Sequence, residues 1–352
     1  MKKSQARGYL LEIVLSKLIE NNGYTVIRRE DGKEIIRKYN GLNVKGRGGY
    51  HQFDTLGQFR ITPPFVYSIR LFVEAKFYES DKVGIDRVRM GVGTLDDVNT
   101  NYFTVEIDNN KLSTQRYHYH YAIFSTSGFT EAAQRYAIAH KIHLIDLAGS
   151  EYKIILDFII KIVDELSRTS SNGAEDISNS EFKNFKIILE KLFFDEKQIP
   201  RILSLMEDMA PGEIYNLVLE LLNYTNSNYI YLATTDSPYI IPLLSNHKFH
   251  QLLSEQPHQE VYLTWNREYP NNWTITSEMN DDIRISFTLP ELFRELLFSD
   301  KDILDNNALY IKEHRMSNFA FITYFDDNPT LCTLKYNKEE TDRYLERQDR
   351  NI

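Results

Sequence analysis

The 352-residue sequence predicts an α/β protein, in which a central mixed sheet flanked by helices is followed by a separate α+β domain. Three observations support this. Helical and strand patterns alternate through residues 1–168. A stretch rich in Ser, Asn and Gly follows at 169–180. Finally, the chain is too long for one ordinary core. We therefore predict a first domain over 1–168, a linker over 169–180 and a second domain over 181–352.

The first domain opens with apolar residues at helical spacing, which predict a helix over 5–21 ending at Asn21-Asn22-Gly23. The order α-β-β-β-α-β-α-β-α that follows is typical of a mixed sheet with helices on its faces. The predicted elements are a strand at 24–29, a basic glycine-containing loop at 30–50, strands at 51–59 and 69–77, a helix at 84–98, a loop with one short strand at 99–116, a strand at 119–126, a helix at 130–140, a strand at 142–146 and a helix at 151–168.

The second domain has a less regular pattern. Apolar spacing predicts two or three helices over 181–224. Further predicted elements are strands at 229–233 and 260–265, a helix at about 238–254, and an antiparallel meander of three extended runs at 308–314, 319–325 and 331–336.

Composition and charge exclude several classes of protein. The single cysteine, Cys332, excludes an intramolecular disulfide and a cysteine-rich zinc site. The N-terminal pattern is that of an amphipathic helix rather than a signal peptide, and no apolar run is long enough for a membrane span. We expect a cytoplasmic protein that does not enter the membrane.

The net charge of −9 is unevenly distributed along the chain. Residues 1–168 carry 24 basic and 20 acidic side chains, whereas the remainder carries 17 and 30. The acidic half is suited to binding a protein partner or a second copy of the chain, and we expect one of these. Residues 1–60 are locally basic, with 12 Lys and Arg against 6 acids, which favours phosphate binding. The candidate nucleic-acid contacts are Arg28, Arg29, Lys38, Lys45 and Arg47.

The most informative motif joins the two strands at 51–59 and 69–77. Asp54 stands on the first, and Glu74-Ala75-Lys76 ends the second. Because side chains alternate along a strand, Glu74 and Lys76 share a face. A hairpin would bring Asp54 to the same edge, so that two carboxylates converge beside an ammonium group.

In this region the chain resembles the PD-(D/E)xK nuclease superfamily, and within it the Mrr-like restriction endonuclease group. The resemblance covers about residues 4–165 and includes the opening helix, the Gly46–Gly49 turn and the Glu74-Ala75-Lys76 motif. Its most specific part is the block 122–137, a strand, a Gly-Phe-Thr turn and a helix, followed by the strand at 142–146. Phe53 stands where the family often has proline. The resemblance implies a restriction-endonuclease-like fold.

The resemblance also implies a magnesium site, for which Mn²⁺ is a possible substitute. We expect Asp54 and Glu74 to be metal ligands with the Ala75 carbonyl as a third, because magnesium prefers oxygen ligands. Lys76 would orient the attacking water and stabilise negative charge. Glu12 supports such a site or else pairs with Arg7 or Lys17. Two further candidates for the catalytic site are Gln52 and Gln134.

The leading hypothesis is a magnesium-dependent endonuclease that hydrolyses DNA in restriction or antiphage defence. An RNase, such as a tRNA nuclease, is an alternative, because the motif does not distinguish DNA from RNA. A second alternative is a catalytically silent module that serves binding or assembly. The intact Asp54, Glu74 and Lys76 argue against the silent module.

Overall fold

A computed structural model of the chain describes residues 1–38, 41–107, 109–170, 176–195, 199–209, 212–265, 269, 271–277, 280–300, 304–326 and 328–339. The described residues form a mixed α/β structure with ten α-helices and several sheets. Contacts divide the chain into two units, Met1–Leu144 with Ile155–Asn223 and Ile145–Ile154 with Tyr224–Ile352.

This division places residues 181–223, assigned to the second domain from the sequence, among the contacts of the first unit. Contacts do not test independent folding, so a self-sufficient domain over 1–168 stays a prediction. Residues 171–175 of the predicted linker lie outside the described residues.

Up to residue 227, the described residues contain seven α-helices and ten strands. The helices are α1 (Lys3–Asn21), α2 (Ile85–Asn99), α3 (Glu131–Ala139), α4 (Lys153–Thr169), α5 (Asn179–Phe194), α6 (Ile199–Met209) and α7 (Glu213–Ser227). The strands are β1 (Tyr24–Val26), β2 (Ile35–Lys38), β3 (Gly41–Lys45), β4 (Tyr50–Gln52), β5 (Thr55–Phe59), β6 (Ser68–Lys76), β7 (Phe103–Ile107), β8 (Asn110–Thr114), β9 (Tyr117–Ser125) and β10 (His143–Asp146).

The central sheet has five strands in the order β1-β5-β6-β9-β10. Strand β6 pairs antiparallel with β5, with Thr55 opposite Val73, and parallel with β9, with Lys76 opposite Ser125. This sheet is mixed, as predicted. The centre of β6, residues 70–73, is buried, and its last three residues are only partly buried. The chemically interesting end of β6 therefore lies where the packed core gives way to solvent.

Two predictions for the connecting segments were wrong. Residues 30–50 form most of a second, three-stranded sheet, β2-β3-β4, rather than a loop. Ile35 and Val44 face each other across β2 and β3 and are fully buried, while the basic side chains stay exposed. The predicted strand at 51–59 is divided between this sheet and the central one, with Asp54 at the break. Residues 99–116 contain the hairpin β7–β8 rather than one strand.

Helix α5 packs against α1 within the first unit. The rings of Tyr9 and Phe182 lie 5.9 Å apart between centroids. Phe185 and Leu189 are also buried. Apolar burial of this extent stabilises a helix that is otherwise marginal in isolation.

The second unit contains a seven-stranded sheet in the order β12-β11-β16-β17-β13-β14-β15. Its core includes the fully buried Trp273, Tyr231 and Phe319. Its strands are β11 (Asn228–Thr234), β12 (Ile240–Asn246), β13 (His258–Trp265), β14 (Asn272–Ser277), β15 (Asn280–Thr288), β16 (Asn318–Phe325) and β17 (Asn328–Tyr336). Its helices are α8 (His247–Glu255), α9 (Glu291–Leu297) and α10 (Leu304–Arg315).

Two predictions in this unit were also wrong. The expected helix at 238–254 is strand β12 followed by α8, which begins after Asn246 caps it by accepting from Phe249 N. The expected strand at 308–314 lies in helix α10, because Leu304, Ala308 and Ile311 repeat at helical spacing. Strands β16 and β17 form the predicted antiparallel pair.

Among the described residues, no helix combines the length and the apolar character needed to span a bilayer.

Candidate active site

The strand-end motif is assembled by the pairing of β5 with β6. Thr55 lies opposite Val73, so Asp54, the residue before β5, lies beside the end of β6. The Ala75 backbone N–H donates a 2.8 Å hydrogen bond to Asp54 Oδ2. This bond fixes the carboxylate of Asp54 against the segment that carries Glu74 and Lys76.

Glu74 and Lys76 interact directly on one face of β6. Lys76 Nζ lies 2.5 Å from Glu74 Oε1. The Tyr121 hydroxyl, from the adjacent strand β9, donates to Glu74 Oε2. The side chains of Glu74 and Lys76 are 17% and 16% exposed, so solvent screens their attraction only in part. Glu74 is thus oriented by two donors from neighbouring strand positions.

The environment of Asp54 disfavours its charged form. Burial raises the pKa of Asp54, and the nearby Glu74 carboxylate raises it further, whereas the Ala75 N–H and the Lys76 ammonium lower it. The net shift is upward. A cation placed between the two carboxylates would remove their repulsion, so the pair is electrostatically suited to bind one.

Glu12 approaches Asp54 from helix α1. Burial, followed by the charge of Asp54, raises the pKa of Glu12 to about 8, although Lys186 opposes this shift. Lys186 Nζ, on α5, lies 3.4 Å from Glu12 Oε2 and 4.3 Å from the centre of the Tyr9 ring. The sequence left open whether Glu12 supports the metal site or pairs with Arg7 or Lys17. Its ion-pair partner is Lys186 of α5. Support of the metal site stays a prediction.

Two cavities meet at Asp54. One, of about 400 Å³, is lined by Glu74 and Tyr121 and by His51 of β4. The other, of about 240 Å³, is lined by Glu12 and Lys186. Gln52 and Phe53 border both cavities, as Asp54 does. Gln52 is therefore beside the candidate site, as the sequence predicted, and its chemical role stays a prediction.

Gln134 lies elsewhere in the first unit. It is 5% exposed, and its Nε2 donates a 3.2 Å hydrogen bond to the Phe129 carbonyl. It does not line either cavity at Asp54. This hydrogen bond stabilises the turn before α3. A catalytic role for Gln134 stays a prediction.

The five basic candidates are all exposed. Arg28 stacks on Phe194 at 3.7 Å and borders the smaller cavity. Arg29 borders an adjoining groove. Lys38 stacks on Tyr50. Lys45 and Arg47 flank Gly46 after β3.

Three residues at this site were missed by the sequence analysis. Lys186 carries no local signal, because 174 positions separate it from Glu12. Tyr121 did carry a local sequence signal, because it lies on the strand expected beside β6 and is buried. His51 stands three positions before Asp54 within the predicted strand at 51–59, and the strand pattern alone assigns it no role.

Oxygen donors dominate the candidate metal ligands. Among the described residues, no three His, Cys, Asp or Glu side chains are arranged to hold a metal ion. A site at Asp54 would therefore rely on two carboxylates, the Ala75 carbonyl and water, a donor set that suits magnesium because it keeps several waters.

Comparisons with known proteins add little. No family model matches the sequence, and no curated protein is significantly similar to it. A solved structure, that of the protein of unknown function AF1548, aligns at 14% identity over 62% of this chain and 96% of that chain, with a TM-score of 0.31. A TM-score this low carries no argument about fold or activity.

Proposed function

We propose that the first unit is a magnesium-dependent endonuclease with a restriction-endonuclease-like fold, acting on DNA. The observation that carries this proposal is the hydrogen bond from Ala75 N to Asp54 Oδ2, which joins the isolated acid to the Glu74-x-Lys76 strand end. Restriction or antiphage defence is the setting that the sequence resemblance favours.

The residues present fit a hard divalent cation. Burial raises the pKa of Asp54, and repulsion by the nearby Glu74 carboxylate raises it further. Because carboxylate oxygens are the ligands that magnesium prefers, binding would compensate this charge. When bound, the ion would supply charge neutralisation and activation of water.

The protein side chains have separable tasks. Glu74 is held by Lys76 and Tyr121, which fixes its orientation before substrate arrives. Lys76 has a compact ammonium group that suits stabilisation of negative charge on the reacting phosphate. Asp54, which precedes β5, provides the second carboxylate of the cluster. Preorganisation of this kind lowers the reorganisation needed in the transition state.

The experiment is a cleavage assay with three substrates: plasmid DNA, methylated plasmid DNA and total RNA. Each is incubated with the full chain in Mg²⁺ and in EDTA. Asp54→Asn removes the charge while keeping the size of the side chain. Asp86→Asn is the matched control, because Asp86 is an 88% exposed acid on α2.

We expect Mg²⁺-dependent cleavage of DNA that falls at least about 100-fold in Asp54→Asn and is unchanged in Asp86→Asn. Cleavage confined to RNA would replace DNA by RNA as the substrate. Full activity in Asp54→Asn would overturn the site. Binding of nucleic acid without cleavage, both in Mg²⁺ and in EDTA, would favour the silent binding module.

A further inference from the structure

The turn Gly46–Gly49 is anchored to helix α2 by one carboxylate, that of Asp97. Gly48 N and Gly49 N donate to its two oxygens at 2.7 and 3.1 Å. His51 Nε2 lies 2.7 Å from Asp97 Oδ2. The turn and the imidazole therefore share one anchor.

Glycine at position 46 is required by this anchor. A Cβ atom there would lie 1.9 Å from Asp97 Oδ2 and 3.0 Å from His51 Nε2. The first of these distances is impossible for a real side chain, so the absence of one at Gly46 lets Asp97 reach the ring. The glycine at position 46 is thus explained by the Asp97–His51 contact.

The protonation state of this pair follows from its contacts. The hydrogen bond from His51, together with the Gly48 and Gly49 amides, lowers the pKa of Asp97. A carboxylate that stays charged accepts, so His51 Nε2 is the donor and carries a hydrogen. Asp97 engages Nε2, which leaves Nδ1 as the ring nitrogen that could act on a substrate.

His51 borders the same 400 Å³ cavity as Asp54 and Glu74. The remaining ionisable side chains on that wall are Tyr50, next to His51, and Tyr121, whose hydroxyl donates a hydrogen bond to Glu74. A phosphodiester seated against the two carboxylates would have its leaving oxygen within the same enclosure.

We propose that His51 is the general acid of the reaction, a catalytic residue that protonates the leaving 3′ oxygen. This inference rests on the proposed nuclease function. Water forms a new P–O bond, the P–O3′ bond breaks, and its electron pair takes the proton from His51 Nδ1. The products are a 5′-phosphate and a 3′-hydroxyl. The attacking water releases one proton to solvent, and His51 regains one from solvent, so atoms and charge balance.

The test uses two oligonucleotide duplexes that differ in one atom. One has the natural 3′ oxygen at the scissile linkage, and the other has a 3′-bridging sulfur, which leaves readily without a proton. The enzyme variants are His51→Gln and Asp97→Asn in the full chain. His140→Gln is the control, because His140 is an exposed histidine at the end of α3.

We expect His51→Gln to cleave the oxygen substrate about 100-fold more slowly, the usual range for loss of a general acid, and the sulfur substrate at nearly the wild-type rate. Asp97→Asn should show the same rescue with a smaller loss. His140→Gln should behave as wild type on both substrates.

An equal loss on both substrates would overturn the proposal, because a purely structural role for His51 slows both. Unchanged cleavage of the oxygen substrate by His51→Gln would overturn it as well, while leaving the nuclease function intact. If the wild-type chain cleaves neither substrate in Mg²⁺, the proposed function fails and the general acid fails with it. A folding defect in His51→Gln, visible as a lowered melting temperature, leaves the decision to Asp97→Asn: sulfur rescue supports the proposal and its absence overturns it.

Discussion

The two cavities that meet at Asp54 are built by different means. The larger is bordered by neighbouring elements of the sheets, where β6 and β9 place Glu74 beside Tyr121 through regular strand register. The smaller depends on helix α5, which supplies Lys186 to Glu12 from far along the chain. Strand register fixes the first arrangement across 47 positions, whereas helix packing fixes the second across 174 positions.

The strand side carries the proposed catalytic residues, and the helix side carries residues that support the site. On the strand side, Lys76 and Glu74 are oriented by hydrogen bonds within the sheet. On the helix side, a buried carboxylate is held near a lysine, and its pKa is raised. Changes on the strand side should therefore reduce turnover, and changes on the helix side should alter stability and pH dependence.

The largest effect is expected on the strand side. Lys76→Ala should lose at least about 100-fold in turnover while metal binding, measured by calorimetry, is retained, because Lys76 is not a ligand in the proposed site. Lys76→Arg should restore little, since a planar guanidinium does not replace a compact ammonium. A parallel loss of metal affinity would contradict this separation.

The next effect concerns helix α5. A chain ending at residue 227 should have a free energy of unfolding at least about 3 kcal/mol higher than one ending at 168, because Phe182, Phe185 and Leu189 are buried in the longer one. Urea denaturation measures the difference. Equal midpoints and slopes would show that residues 1–168 are self-sufficient.

A smaller effect is expected from the pH dependence of Glu12. Folded Glu12 keeps its proton up to about pH 8, whereas the unfolded value is 4.5. The folded state therefore binds more protons in this window, and its stability falls as the pH rises from 4.5 to 8. The charged groups that act on Glu12 include Lys186, Asp54 and Glu190.

In EDTA, wild-type protein should lose roughly 1–3 kcal/mol more stability than Glu12→Gln between pH 5 and pH 8, because partial solvent contact reduces the full effect. Chemical denaturation at several pH values measures this. Identical profiles for the two proteins would show that Glu12 does not titrate in this window.

The smallest effect is expected for Tyr121→Phe, which removes the hydroxyl that orients Glu74. We expect a loss of about 1–2 kcal/mol in stability and less than about tenfold in turnover, because Lys76 still holds the other carboxylate oxygen. Tyr67→Phe, at an exposed tyrosine, is the control. A loss as large as that of Lys76→Ala would make Tyr121 part of the chemistry.

The sequence predicted the elements of the central sheet because their signals are local. The strand predicted from the apolar run at 69–73 and the helix predicted from the spacing of α1 are present, with shifts of one or two residues at most of their ends. It missed the three-stranded sheet over residues 35–52, where short strands with exposed basic side chains resemble a charged loop. The burial of Ile35 and Val44 there depends on pairing that no local pattern records.

The candidate site also contains neighbours that the sequence could predict and one contact that it could not. Asp54, Glu74 and Lys76 were predictable as neighbours, since strand alternation and one hairpin suffice to bring them together. Their catalytic roles stay predictions. The partner of Glu12 was not predictable, because it depends on how α5 folds back onto α1.

Asp97 makes the glycine turn and His51 one mechanical unit. Arg47 lies within that turn, and its backbone N–H donates to the Asp97 carbonyl, so the arginine is tied to the same helix position as the imidazole. Under the proposed function, a phosphate backbone bound by Arg47 would contact the turn whose anchor also holds the ring at the cavity wall. Substrate binding at the turn and the placement of the proposed proton donor would then depend on the same residue of α2, Asp97.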